Sequence, residues 1–301
     1  METGKIRRLS AFEPRQAFYI GVDSDGCVFD TMELKQKQCF TPNIIQYFGL
    51  EALAGITRET TEFVNLYSRF RGQNRFKALL KTFDLLARRP EFVASGLALP
   101  DVEALRDWVS RAAALDNASL EEEAVLSADS SLWRIIEWSV AVNREVAARS
   151  EEVFPFAGAS ETLEAARAQA DLVVVSQTPT EALEREWQAH GMAHLPQLIC
   201  GQELGTKADH LRGTAGEHYE PGRMLMVGDA AGDCMAAAET GALFFPILPG
   251  RETDSWAEFR SEGLPRFFEG RFGGEYEQNL LVRFDACLPE APPWETGEKK
   301  R

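Results

Sequence analysis

The stretch GVDSDGCVFDT, residues 21–31, closes the apolar run FYIGV (18–22) with two carboxylates, Asp23 and Asp25, set one residue apart and backed by Gly26. The run has β-branched and aromatic content and is bounded by acids and glycine, so it reads as a buried strand with the acids at its carboxyl end. Asp-x-Asp-Gly is also the spelling of an ordinary solvated turn. What the rest of the chain brings to the same place decides between turn and site.

From about Glu33 to Arg149 the pattern is helical, with ELKQKQCF, RFKALLKTFDLLARR, DVEALRDWVSRAAAL and LWRIIEWSVAVNREVAAR separated by Pro, Gly and Ser signals. Past FPFAG (154–158) strands and helices alternate: ASETLEAARAQA, DLVVVS, TEALEREWQAH, QLIC, KADHLRG, MLMVGD, DCMAAAETG and ALFFPI. That order is the signature of a doubly wound parallel sheet, and the near-continuous apolar character of DLVVVS and MLMVGD fits strands buried on both faces. The expected architecture is α/β. Residues 1–31 and 151–250 form one discontinuous Rossmann-like core, 32–150 an inserted all-helical domain, and 251–301 an aromatic-rich C-terminal extension packed on the core or on a partner chain, which leaves a homo-oligomer open. The last stretch, PEAPPWETGEKKR, reads as a frayed end.

Ligands of such sheets bind beyond the carboxyl ends of the strands. Those ends carry Asp23 and Asp25, then Ser176, then Asp229 with Asp233, while Lys207 stands at a nearby helix start. Phosphoryl transfer needs a nucleophile in line with the leaving oxygen, a proton carrier, and positive charge or donors around the equatorial oxygens. Carboxylates facing a phosphate dianion repel it, so an oxygen-loving divalent cation is required, and Mg2+ suits a few carboxylates plus phosphate and water.

In this order the residues resemble the four motifs of the haloacid dehalogenase superfamily: DSDG (23–26), Ser176 in VVVSQT, Lys207, and GDAAGD (228–233). The resemblance implies a Mg2+-dependent phosphatase acting on a small phosphorylated metabolite. Asp23 is then the nucleophile that forms an aspartyl-phosphate, and Asp25 the acid and base. Asp23, Asp229 and the Asp25 carbonyl bind the metal, and Asp233 orders its waters or holds Lys207. Ser176, Lys207 and the backbone N–H groups around Gly26 take the phosphate oxygens. Glycine at 26 lets the chain turn sharply, so that both acids serve one pocket. Two positions depart from the pattern, Cys27 where Thr is usual and Gln177 where Asn is common.

Bland readings exist for each residue alone: Asp233 as a helix cap, Lys207 as a surface lysine, Ser176 as a turn residue. Four of them falling in register weigh against coincidence. A cysteine phosphatase is excluded, because the sixth residue after Cys27 is Glu33 rather than Arg, and GQELGTK (201–207) is one residue too short for a nucleotide phosphate loop. A sugar-phosphate mutase uses the same four motifs and remains an alternative, as does a catalytically silent binding protein.

The inserted segment resembles a helical cap of the superfamily. Its stretch LYSRFRGQNRFKALLK (66–81) concentrates basic residues in an acidic chain, and the turn signals Gly72 and Asn74 nominate Arg69, Arg71 and Asn74 as substrate ligands. A solvated helix face is the commoner meaning of such a cluster. The net charge of −15 argues against nucleic acid as a partner. No window has the apolar length of a membrane span or a signal core, and five scattered cysteines without a Cys-x-x-Cys pair suggest reduced thiols, so a cytoplasmic protein is expected.

Overall fold

The computed structural model describes Leu9, residues 11–149 and residues 152–296; most of the polar leader, the expected boundary at 150 and 151, and the end of the tail lie outside the described residues. The chain divides into two compact units, Met1–Thr31 with Val153–Pro289, and Met32–Glu152 with Glu290–Arg301. No helix among the described residues is long and apolar enough to cross a membrane.

The first unit is an α/β domain built on five strands, β1 (Phe18–Val22), β2 (Ala170–Val175), β3 (Leu198–Cys200), β4 (Met224–Gly228) and β5 (Leu243–Pro246), in the order β3-β2-β1-β4-β5. All four pairings are parallel. Every residue of β2 and β4 is buried, as a parallel sheet covered on both faces demands. The chain runs outward from β1 through β2 to β3, then resumes on the other side of β1 with β4 and β5. This places the topological switch point beside β1. Val22 stands opposite both Val174 and Val227, so the residues that follow these three strands emerge at one edge.

At the opposite edge, Asp171 is buried inside an otherwise apolar strand and is satisfied there. Its Oδ2 accepts the Arg15 N–H at 2.7 Å, the Gln16 N–H at 2.8 Å and the Tyr219 hydroxyl at 2.6 Å.

The segment after β5 belongs largely to this unit. Phe245 packs on Phe259 with ring centroids 4.6 Å apart, and Phe244 on Phe284 at 5.5 Å. Trp256, fully buried, donates its indole N–H to the Cys27 carbonyl at 2.8 Å, so the tail braces the turn that follows the two acids.

The second unit is all helical. Its longest helix, Ser130–Ala148, and the helix Arg75–Leu86 share a core in which Phe48 meets Phe83 at 5.0 Å and Phe76 meets Trp108 at 5.2 Å. The expected helix at ELKQKQCF is wound as a π-helix over Lys35–Phe40, with Gln36 and Cys39 buried.

Residues beyond Pro289 join this helical unit. Trp294 packs edge-on against Phe63 at 5.4 Å and under the Arg89 guanidinium at 4.4 Å, while Arg89 itself pairs with Glu59 at 2.9 Å. PPWET is therefore docked, with a turn of helix over Pro293–Thr296, rather than frayed, because its aromatic finds an apolar seat. Trp294→Ala is expected to lower the stability of the protein by about 1–2 kcal/mol in urea unfolding, the sum of a partly buried ring and one cation–π contact.

Candidate active site

The site begins where β1 ends. The Asp23 N–H continues the sheet by donating to the Val227 carbonyl at 2.9 Å, which fixes its backbone, and its Oδ1 accepts the Ser24 N–H at 2.8 Å. The chain then folds back tightly. Val28 and Phe29 donate to the Ser24 carbonyl at 2.9 and 3.0 Å, Gly26 donates to the Phe29 carbonyl at 2.9 Å, and Gly26 takes the left-handed φ of 77°. The expected sharp turn is present at the expected glycine. Cys27 is wholly buried, and burial pushes its thiol well above the ordinary range, so it has no thiolate to offer as a nucleophile.

Ser176 continues β2, its N–H donating to the Cys200 carbonyl at 3.0 Å, and its Oγ accepts the Thr178 N–H at 3.2 Å. Gln177, the departure from the resembled pattern, sends its Nε2 to the Gly205 carbonyl at 3.0 Å and ties the β2 loop to the loop that precedes Lys207.

Lys207 is the first residue of the helix Lys207–Thr214. That start is fixed by a capping box: Thr206 Oγ1 accepts the Asp209 N–H at 3.2 Å, and Asp209 Oδ2 accepts the Thr206 N–H at 2.9 Å. So anchored, Lys207 reaches Asp23 Oδ2 at 2.8 Å and Asp233 Oδ1 at 2.5 Å. Asp233 stands at the third position of its helix, behind the N-cap Ala230, and uses both oxygens. Its Oδ2 accepts the Ala230 N–H at 3.0 Å and closes the start of the helix Ala231–Thr240, while its other oxygen meets the lysine.

Asp23, Asp229 and Asp233 are 5%, 1% and 0% exposed, and one oxygen of each lies within 4.8 Å of the others. Burial pushes the Asp23 carboxyl up to about 7 against the pull of Lys207, and burial raises Asp233 likewise. For Lys207 burial acts downward, but Asp23 and Asp233 together hold it above the ordinary lysine range. A divalent cation would add positive charge beside the lysine, and a donor set made only of carboxylate oxygens suits a hard ion such as Mg2+ rather than zinc. The residues therefore fit the metal.

His210 lies one turn along the same helix, fully buried, and burial lowers it to about 4. The unfolded chain binds a proton there that the folded chain refuses, so the stability this group contributes is complete above pH 6.5 and is lost as pH falls toward 4. His210→Phe is expected to remove that loss, gaining on the order of 3 kcal/mol relative to the parent between pH 6.5 and 4 in denaturant titrations.

Asp25 is half-buried, and Thr178 Oγ1 donates to its Oδ2 at 2.5 Å. Sequence reasoning missed Thr178, since nothing local marks a threonine in a loop 153 residues away as a partner of this acid. It also missed Trp187, whose indole N–H reaches Ser24 Oγ at 3.0 Å between the two acids.

The basic cluster of the helical unit is arranged differently from its expectation. Asn74 is the N-cap of the helix Arg75–Leu86: its Oδ1 accepts the Phe76 N–H at 3.0 Å, and its Nδ2 donates to the Leu115 carbonyl at 2.8 Å. Arg71 is buried and donates to the Leu66 carbonyl at 3.1 Å, whereas Arg69 is exposed. The amide of Asn74 is thus committed inside the unit. An Asn directly before an apolar-periodic run is the ordinary N-cap signal, and that signal outweighs the charge pattern here.

No protein-family profile and no curated protein sequence matches the chain. Among solved structures it is similar to several described as hydrolases or phosphatases. A putative phosphoglycolate phosphatase from Lactobacillus delbrueckii subsp. bulgaricus has a TM-score of 0.48 and 16% identity, over 91% of this chain and 99% of that one. A hydrolase from Pseudomonas syringae has a TM-score of 0.46 and 12% identity, over 90% and 99%. A haloacid dehalogenase-like hydrolase from Streptococcus pneumoniae has a TM-score of 0.39 and 16% identity, over 79% and 90%.

Proposed function

We propose that the chain is a Mg2+-dependent phosphohydrolase of the haloacid dehalogenase type, acting on a small phosphorylated metabolite. The observation that carries this reading is the convergence of Asp23, Asp229 and Asp233 from the ends of β1 and β4, with Lys207 paired to two of them. Three buried acids around one lysine are costly to a fold that has no use for them, and phosphate ester chemistry uses this set.

Asp23 attacks phosphorus, forming its Oδ–P bond as the ester P–O bond breaks, and Asp25 gives its proton to the departing alkoxide. Asp25, now ionised, takes a proton from water as that water attacks phosphorus, which releases phosphate and restores Asp23. Lys207 and the Ser176 hydroxyl bear the equatorial oxygens. Asp23, Asp229 and Asp233, with the Asp25 carbonyl, are the groups that hold or orient the cation, which supplies charge neutralisation when bound.

The test is a panel of phosphate monoesters assayed with Mg2+ and with a chelator. Release of inorganic phosphate that depends on the metal is expected. Isomerised sugar phosphate without free phosphate points to a mutase instead, and silence across the panel leaves only a binding role.

A further inference from the structure

We infer that Thr178 is a positioning residue for the proton carrier Asp25, an inference that rests on the function proposed above. A carboxyl that must protonate a departing oxygen has to present its proton in one orientation, and Asp25 follows a tight turn and is half-buried. Thr178 Oγ1 meets Asp25 Oδ2 at 2.5 Å and anchors the carboxyl plane from across the β1–β2 pair.

Thr178 is itself held from several directions. Its N–H donates to Ser176 Oγ at 3.2 Å, and its carbonyl accepts the Gln202 N–H at 3.1 Å. Pro179 follows it and restricts its backbone to extended conformations. The next residue, Thr180, clamps the loop to the β3 turn. Its N–H and Oγ1 both reach Glu203 Oε2, at 3.0 and 2.8 Å, and its Oγ1 accepts the Gly201 N–H at 3.2 Å.

The two loops approach so closely that a Cβ at 201 would lie 2.4 Å from the Thr180 nitrogen and 2.6 Å from the Thr178 carbonyl oxygen. Glycine at 201 is what permits this contact. A β-branched side chain has few χ1 wells to begin with, and a fixed backbone selects among them, so the hydroxyl is delivered to Asp25 without further ordering. The same hydroxyl ties the phosphate-binding Ser176 loop to the acid that acts on the leaving group, two parts that must be in register for one transfer.

The experiment uses aryl phosphates whose leaving phenols span several pKa units, with kcat/KM read for each because it reports the half-reaction in which the leaving group departs. Thr178→Val keeps the branch and removes the donor; Thr178→Ser keeps the donor and removes a methyl. Expected for Thr178→Val is a loss of about 10–100-fold on the most basic phenol and about twofold or less on p-nitrophenol, which leaves without a proton, so that the dependence on leaving-group pKa steepens. Thr178→Ser is expected within about threefold of the parent across the series.

A loss of equal size on every ester, or a Thr178→Val variant with parental kinetics throughout, overturns the inference. Either result leaves the phosphatase reading standing, because that reading fails separately if Asp23→Asn hydrolyses the same esters as the parent.

Discussion

Asp23→Asn reduces turnover of phosphate monoesters by about ten-thousand-fold or more, the scale on which enzymes lose rate when the nucleophile of a covalent mechanism or the tautomer that supports it is removed. The amide is nearly the shape of the acid and keeps one of its two oxygens, enough to accept either from Lys207, which now sits 2.8 Å from Oδ2, or from the Ser24 N–H, but not from both. What it lacks is the charge and lone pair that attack phosphorus. The fold is expected to persist, with near-ultraviolet circular dichroism unchanged. Its thermal midpoint should not fall, because one of three crowded, buried carboxyls has been replaced by a neutral group. Activity within tenfold of the parent in the purified variant would remove Asp23 from its role and take the covalent mechanism with it.

What was legible in advance follows from how a parallel sheet works. Val22, Val174 and Val227 stand side by side, so residues written directly after these strands share an edge whatever the details of packing. Asp23, Ser176 and Asp229 could therefore be placed together from strand endings alone. Lys207 and Asp233 followed from helix starts, whose caps are local.

Contacts without a local rule were not legible. Trp256 reaches the Cys27 carbonyl from 229 residues away and Trp187 reaches Ser24 from 163, and no periodicity in either helix announces a partner. Asn74 is a case where the local signal is legible: an Asn directly before an apolar-periodic run caps the helix Arg75–Leu86, and its Oδ1 accepts the Phe76 N–H. Trp294 was hidden by its setting, since a proline-rich acidic ending has the composition of a solvated tail while one ring decides that it docks.

The second large effect concerns the acid cluster and its cation. In the metal-free protein burial holds Asp23 at about 7, against 3.8 for the ordinary group. The folded state then keeps a proton that the unfolded chain releases, so stability falls as pH rises from about 4 to 7 and the loss is complete above that. Asp233 is raised by burial in the same direction.

His210, lowered to about 4, acts oppositely across the same window and masks the trend in the parent. The effect should therefore be read in the His210→Phe background, where the chelated protein is expected to be more stable at pH 5 than at pH 8 by denaturant unfolding. A bound divalent cation would favour the ionised acids and so offset this fall in stability. Mg2+ at a hundredfold excess over its dissociation constant stabilises by about 2.7 kcal/mol at pH 8. At pH 5 protons compete for the same oxygens, and the gain from that concentration shrinks. Equal stabilisation at both pH values, or none, would mean that the three carboxylates do not act as one metal centre. On this expectation proton and metal would contend for the same buried oxygens, and one electrostatic imbalance would set both the stability of the apo protein at alkaline pH and the affinity of the site for Mg2+.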